Sequence, residues 1–228
     1  MMTIDVLKKQ PEIPLSGASV AAAAAFAALT SRTLKPRTIL GDLRLRSRIP
    51  GYGKHSKKAA VQFGYLGKEW SALSAAGLLG AKLLRDNRRA GAVAVATAAL
   101  GAIGASHLFD AVLPQKTPPP GRKAPTDPHF PSGHALHSTA VLTIGAWVLS
   151  RERMLSSNAA ATGAGVLALA LGFDRLVQDR HWTSDVVGGW LAAISIAGLA
   201  ATGYELASRR RRVARPRRKS KRKAVKNS

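Results

Sequence analysis

The most chemically loaded stretch of the chain runs from Asp174 to Asp185, where Arg175 is followed after five residues by His181 and after three more by Asp185. If a helix begins near Thr183, His181 and Asp185 lie about one turn apart, so the carboxylate can accept a hydrogen bond from one imidazole nitrogen. The other nitrogen is then a neutral, oriented nucleophile. Its attack on phosphorus would split a hydrolysis into two easier steps, with Asp185 stabilising the cation that develops. Arg175 suits the nonbridging oxygens of a phosphate, because its planar fork binds them in pairs.

A second stretch, Pro131-Ser132-Gly133-His134, directly precedes an uncharged apolar block. Ser132 therefore stands at a helix N-cap, where backbone amides lack partners and attract phosphate. Gly133 permits close backbone approach, Ser132 offers a hydroxyl, and His134 can give a proton to a departing oxygen. Upstream, the loop from Lys116 through Arg122 and Lys123 to Pro125 is rich in proline, which lowers the entropy cost of holding its cations around a doubly charged anion. Each stretch also has a plain structural reading: Ser132 as a helix cap, His134 and Trp182 as interfacial residues, the proline loop as a basic connector. His129, His134 and His137 do not make a metal set, since two are spaced by only three and no carboxylate or cysteine completes a set nearby. No metal and no cofactor is expected.

The elements that must position these residues are apolar blocks at roughly 13–31, 70–81, 90–109, 135–150, 154–173 and 186–204. About 20 apolar residues cover the hydrocarbon layer, so the pattern predicts an all-α, polytopic membrane bundle. Block 70–81 is short for a span. The 228 residues carry a formal charge of +23 and no cysteine, so disulfides and thiolate metal sites are excluded. Twelve Lys or Arg fall in 209–226 without an acid among them, a composition that predicts a disordered, solvated tail on the cytoplasmic side. Anionic lipid headgroups are its expected partner; nucleic acid is disfavoured, because no aromatic is interleaved to stack on bases.

With the tail inside, alternation puts the 110–134 and 174–185 loops together on the outer face. Arg175 there runs against the orientation rule and so points to a specific partner. The segment Arg32–Lys68 holds ten Lys or Arg and would also face outward if blocks 13–31 and 70–81 both cross, again against that rule. Two arrangements satisfy parity: both early blocks cross, or the N-terminal region lies at the cytoplasmic interface beside a four-helix core. The expected organisation is an N-terminal region 1–89 with one or two hydrophobic helices, a core 90–207 and a tail 208–228.

Taken together, these residues resemble the type 2 phosphatidic acid phosphatase family, relatives of the vanadium-dependent haloperoxidases, over about residues 90–205. The second motif is Pro131-Ser132-Gly133-His134; the third is Arg175, His181 and Asp185 with the Val-Val-Gly-Gly entry that follows. The resemblance implies that His181 is the nucleophile, Asp185 its orienting partner and His134 the general acid. It also implies that Lys116, Ser132 and Arg175 hold phosphate oxygens, and it favours both early blocks crossing. In the first motif the family's arginine position holds Lys123, with Ala124 before Pro125 and Arg122 shifted by one. Where the family has a serine before the third-motif arginine, this chain has Asp174, whose carboxylate would repel a phosphate unless it pairs with Lys116, Arg122 or Lys123.

The function so implied is metal-independent hydrolysis of a phosphorylated lipid or polyprenyl diphosphate at an outward-facing site in a bacterial cytoplasmic membrane. The alternative is an inactive membrane protein that binds anionic lipid or nucleic acid through its tail.

Overall fold

A computed structural model describes residues 11–33, 40–49, 51, 57–113 and 130–226. Eight α-helices are found among them: α1 (Glu12–Thr33), α2 (Leu40–Arg48), α3 (Lys57–Gly64), α4 (Glu69–Arg85), α5 (Arg89–Val112), α6 (Gly133–Arg151), α7 (Ser157–Val177) and α8 (Thr183–Lys226). A 3-10 turn, Tyr65–Gly67, joins α3 to α4. The all-α class expected from the blocks is what forms.

Four of the described helices, α1, α5, α7 and α8 as far as Arg210, are long and apolar enough to cross a membrane. The 19 residues of α6 and the 17 of α4 rise about 28 and 26 Å, close to the hydrocarbon thickness. Their composition is more mixed, and α6 hides its polar residues by packing inward, with His137, Ser138 and Thr139 all buried. The core between helices is built from small and branched residues. Leu83, Val95, Ile144 and Val148 are inaccessible, surrounded by Ala98, Ala99, Ala197 and Ala201. Where lipid is as apolar as a leucine side chain, association rests on this close backbone approach and dispersion contact.

The six long helices alternate in direction, and the contacts at their ends fix the order. Glu12 at the start of α1 pairs with Arg209 on α8 at 2.7 Å. Phe26, further along α1, stacks on Phe130 just ahead of α6 and meets Phe109 near the end of α5. α1 therefore runs antiparallel to α8, from the end bearing Arg209 to the end bearing Ser132. Glu69 at the start of α4 contacts His107 at that second end, 3.3 Å away. The α4–α5 turn lies at the first end, where Arg88 reaches Glu152 of the α6–α7 turn at 3.2 Å. Both early blocks thus run the length of the bundle, and the described part of the basic connector between them sits at the same end as Ser132 and His181. That course along the bundle is what the first of the two arrangements would require.

Two details depart from the sequence reading. α7 starts at Ser157 instead of 154, because Arg153 turns the chain with φ 58° and Ser156 caps the helix by accepting the Ala159 amide at 3.3 Å. The helix α8 continues to Lys226 through the run expected to be disordered. Lys and Arg are good helix formers and extending a helix already nucleated in the bundle needs no new nucleus, although Pro216 inside the run removes one backbone donor. At the first end, buried Glu205 accepts from Trp147 Nε1 at 3.1 Å and lies 2.6 Å from Arg151 Nε, and Tyr204 donates to Glu152 at 2.7 Å. This polar network ties the two turns to α8.

Candidate active site

α6 begins where the chain leaves Pro131, and Ser132 occupies its N-cap in an extended conformation. The Ser132 amide donates to the Asp185 carbonyl at 2.9 Å, a bond that joins the two motif stretches directly. Gly189, one turn into α8, makes the junction tight: a Cβ there would lie 2.7 Å from the Ser132 carbonyl oxygen. The Val-Val-Gly-Gly entry is thus the price-free route by which α8 approaches the start of α6. Ser132 is inaccessible, yet its hydroxyl does not cap α6 and has no hydrogen-bond partner among the described residues. The simple capping role is therefore not what holds it. A buried hydroxyl without a partner costs on the order of 1–3 kcal/mol, which an arriving acceptor would recover.

The α7–α8 connection is shaped by the end of α7. Arg180 N–H donates to the Arg175 carbonyl at 3.0 Å and Asp179 N–H to the Leu176 carbonyl at 3.1 Å, the pattern of a Schellman motif. Asp179 holds its left-handed position with φ 53°. His181 follows, and α8 starts at Thr183, as the spacing requires. His181 Nδ1 stands 3.5 Å from Asp185 Oδ2, close to but outside hydrogen-bond geometry. Asp185 is inaccessible, and the same oxygen accepts the Trp182 amide at 2.9 Å.

Arg175, in the last turn of α7, is buried. Its Nε and Nη2 donate to the Asp174 carboxylate, the former at 3.0 Å, and Gln178 Nε2 donates to both oxygens of that carboxylate at 2.9 Å. The sequence reading looked for Asp174's partner in the proline loop; one partner is the adjacent arginine. Lys116, Arg122 and Lys123 lie outside the described residues.

His134, one residue ahead of the apolar block 135–150, is driven down to a pKa of about 3. Burial is the largest cause, followed by the positive charge of Arg175 and then the proximity of His181. His134, Arg175 and His181 therefore share one electrostatic environment.

The roof of this pocket is the connector that sequence reasoning did not associate with it. A Cβ at Gly64 would fall 2.0 Å from Arg175 Nη2, and one at Gly67 would fall 3.0 Å from His134 Cδ2. Further back in the connector, Asp42 accepts from Ser184 N at 2.8 Å and Ser184 Oγ at 2.6 Å, and Arg46 Nη2 lies 3.1 Å from Asp179 Oδ1. One signal was available: Asp42 is the single acid among the ten cations of 32–68. Among the described residues no group of three or more His, Cys, Asp or Glu is arranged to hold a metal, and His129 lies outside them.

Comparison with known proteins extends this picture. The backbone resembles the crystal structure of the first transmembrane PAP2 type phosphatidylglycerolphosphate phosphatase from Bacillus subtilis, with a TM-score of 0.64 and 20% identity, over 80% of this chain and 93% of that one. A search of curated proteins gave no match. The sequence model of the PAP2 superfamily matches residues 15–209, which include the connector, both motif stretches and all or most of each long helix, and the chain belongs to that family.

Proposed function

We propose that this protein is an integral membrane phosphatase that hydrolyses a lipid phosphate or diphosphate through a phosphohistidine at His181. The observation that carries the reading is the Ser132 amide bound to the Asp185 carbonyl at 2.9 Å, which draws an N-cap, two imidazoles and a buried arginine around one small volume. His181 Nε2 attacks phosphorus in line with the leaving oxygen. Asp185 holds the ring by Nδ1 and offsets the imidazolium charge, the 3.5 Å contact shortening as that charge develops. The N-terminus of α6, the Ser132 hydroxyl and Arg175 stabilise the equatorial oxygens, with Lys116, Arg122 and Lys123 supplying further positive charge.

His134 protonates the leaving oxygen. In the empty site it is neutral, since burial first and the positive charge of Arg175 second disfavour the imidazolium. A phosphate dianion seated among those cations reverses their effect, so the imidazole gains its proton together with the substrate. In the second half-reaction neutral His134 removes a proton from water, whose oxygen attacks phosphorus and breaks the P–N bond. His181 is then restored.

A lipid substrate is supported by helices long and apolar enough for a bilayer and by the phosphatidylglycerolphosphate named for the Bacillus subtilis protein. The basic run 209–226 stands at the end opposite the site, which supports a cytoplasmic tail near anionic headgroups, at roughly 1 kcal/mol per cation close to the surface, and an outward-facing site.

Purified protein in detergent should release phosphate from one or more of phosphatidate, phosphatidylglycerolphosphate and polyprenyl diphosphate with a chelator present. His181→Ala should remain folded and lose at least about 10³-fold in kcat. Turnover by that variant at the wild-type rate would contradict the assignment.

A further inference from the structure

Resting on that reading, we propose that α2 is a clamp whose Asp42 and Arg46 are positioning residues for His181. The loop that carries the nucleophile runs from Asp179 to Ser184, and α2 grips it at both ends. At one end, Asp42 takes both donors of Ser184, the residue immediately before Asp185. At the other, Arg46 pairs with Asp179, two residues before His181. Asp42, Asp179 and Ser184 are all buried, so these contacts sit where water competes little for them.

The backbone supports a positioning role over a merely cohesive one. Asp179 occupies the C′ site of a Schellman motif with φ 53°, a position at which glycine carries no Cβ penalty and any other residue costs about 1 kcal/mol. An aspartate there gives up backbone stability and gains a carboxylate within ion-pair distance of Arg46, whose Nη2 makes no hydrogen bond among the described residues. His181 Nδ1 and Asp185 Oδ2 stand 3.5 Å apart, just outside hydrogen-bond geometry, so a small shift of the loop decides whether the pair can close. Misplacement by about 1 Å can cost as much as 100-fold in rate.

Asp179→Gly separates the two roles. It relieves the left-handed strain, which offsets part of the stability lost with the Arg46 contact, so the proposal expects a folded protein with kcat per folded molecule reduced between about 10- and 100-fold and KM nearly unchanged. Asp42→Ala should lower kcat likewise, Asp42→Asn should recover part of it by still accepting the Ser184 amide, and the alkaline and acid limbs of the kcat profile should move in the alanine variant. Hydrogen exchange at the Ser184 amide should quicken in Asp42→Ala. Wild-type kcat per folded molecule in Asp179→Gly together with Asp42→Ala or, should Asp42→Ala not fold, Ser184→Ala overturns the clamp while leaving the phosphatase reading intact. A wild-type protein inactive on every lipid phosphate sinks both.

Discussion

Asp174 is the residue at which this site differs most in charge from the pattern its motifs resemble. Its carboxylate occupies two of the donors of Arg175 that a phosphate would use, and adjacent helix positions do not face one another, so the sequence alone hid the pairing. Only the length of the arginine side chain lets the guanidinium fold back. Asp174→Ser should free that fork: tungstate, a phosphate mimic that stays doubly charged near neutral pH, should bind about tenfold more tightly by titration calorimetry, ~1.4 kcal/mol. The empty variant should be less stable by on the order of 3 kcal/mol, since a buried cation loses its partner. Equal affinity in the two proteins would show that Asp174 does not compete. His134 makes a second prediction. Its pKa of about 3 in the empty site rises when a dianion binds, so binding takes up a proton at any pH between the empty and occupied values. Tungstate affinity should therefore increase as pH falls from 8 to 6, and calorimetry in buffers of different ionisation enthalpy should register the uptake. Affinity independent of pH and buffer, or uptake persisting in His134→Ala, would contradict it. Ser132 was legible as an N-cap, whereas its uncommitted hydroxyl was not, because whether a cap bonds its own helix depends on a rotamer.

Among the elements, the four helices long and apolar enough to cross a membrane were readable as blocks, whereas blocks 135–150 and 70–81 are short, and the helices they form, α6 and α4, have 19 and 17 residues. The connector could not be read as part of the site. Its cations suggested the cytoplasmic side by the charge rule, and its contacts rest on single long-range pairs such as Asp42 with Ser184, 142 positions apart. On the proposed topology the rule yields to a pocket that favours an anion, over which a basic roof is electrostatically at home. Gly64 is where that roof comes closest. A methyl group there would sit 2.0 Å from Arg175 Nη2 and 3.1 Å from Asp174 Oδ2, so either the guanidinium or α3 must move. Gly64→Ala should raise KM for a lipid phosphate by roughly 10- to 100-fold, the loss of one charge-assisted hydrogen bond at about 1.5–3 kcal/mol, in steady-state assays. An unchanged KM would mean that the roof yields and Arg175 does not.

At the scale of the molecule, function follows from polarity along the bundle axis. One end gathers the starts of α6 and α8, the end of α7 and the connector; the other holds the Glu205 network and leads into a strongly basic stretch. Helix starts concentrate unpaired amides, and a dianion among them gains more than it would from any one side chain. The alternation of the long helices is what brings those starts together, so fold and chemistry are one arrangement. The central claim concerns the atom that receives the phosphoryl group. Rapid quenching of the wild-type protein with a substrate labelled in its transferable phosphate, followed by peptide mapping under alkaline conditions, should recover acid-labile label on His181 and none in His181→Ala. Label on Ser132 or another residue, or full turnover with no covalent intermediate when the second step is slowed in His134→Ala, would contradict the account.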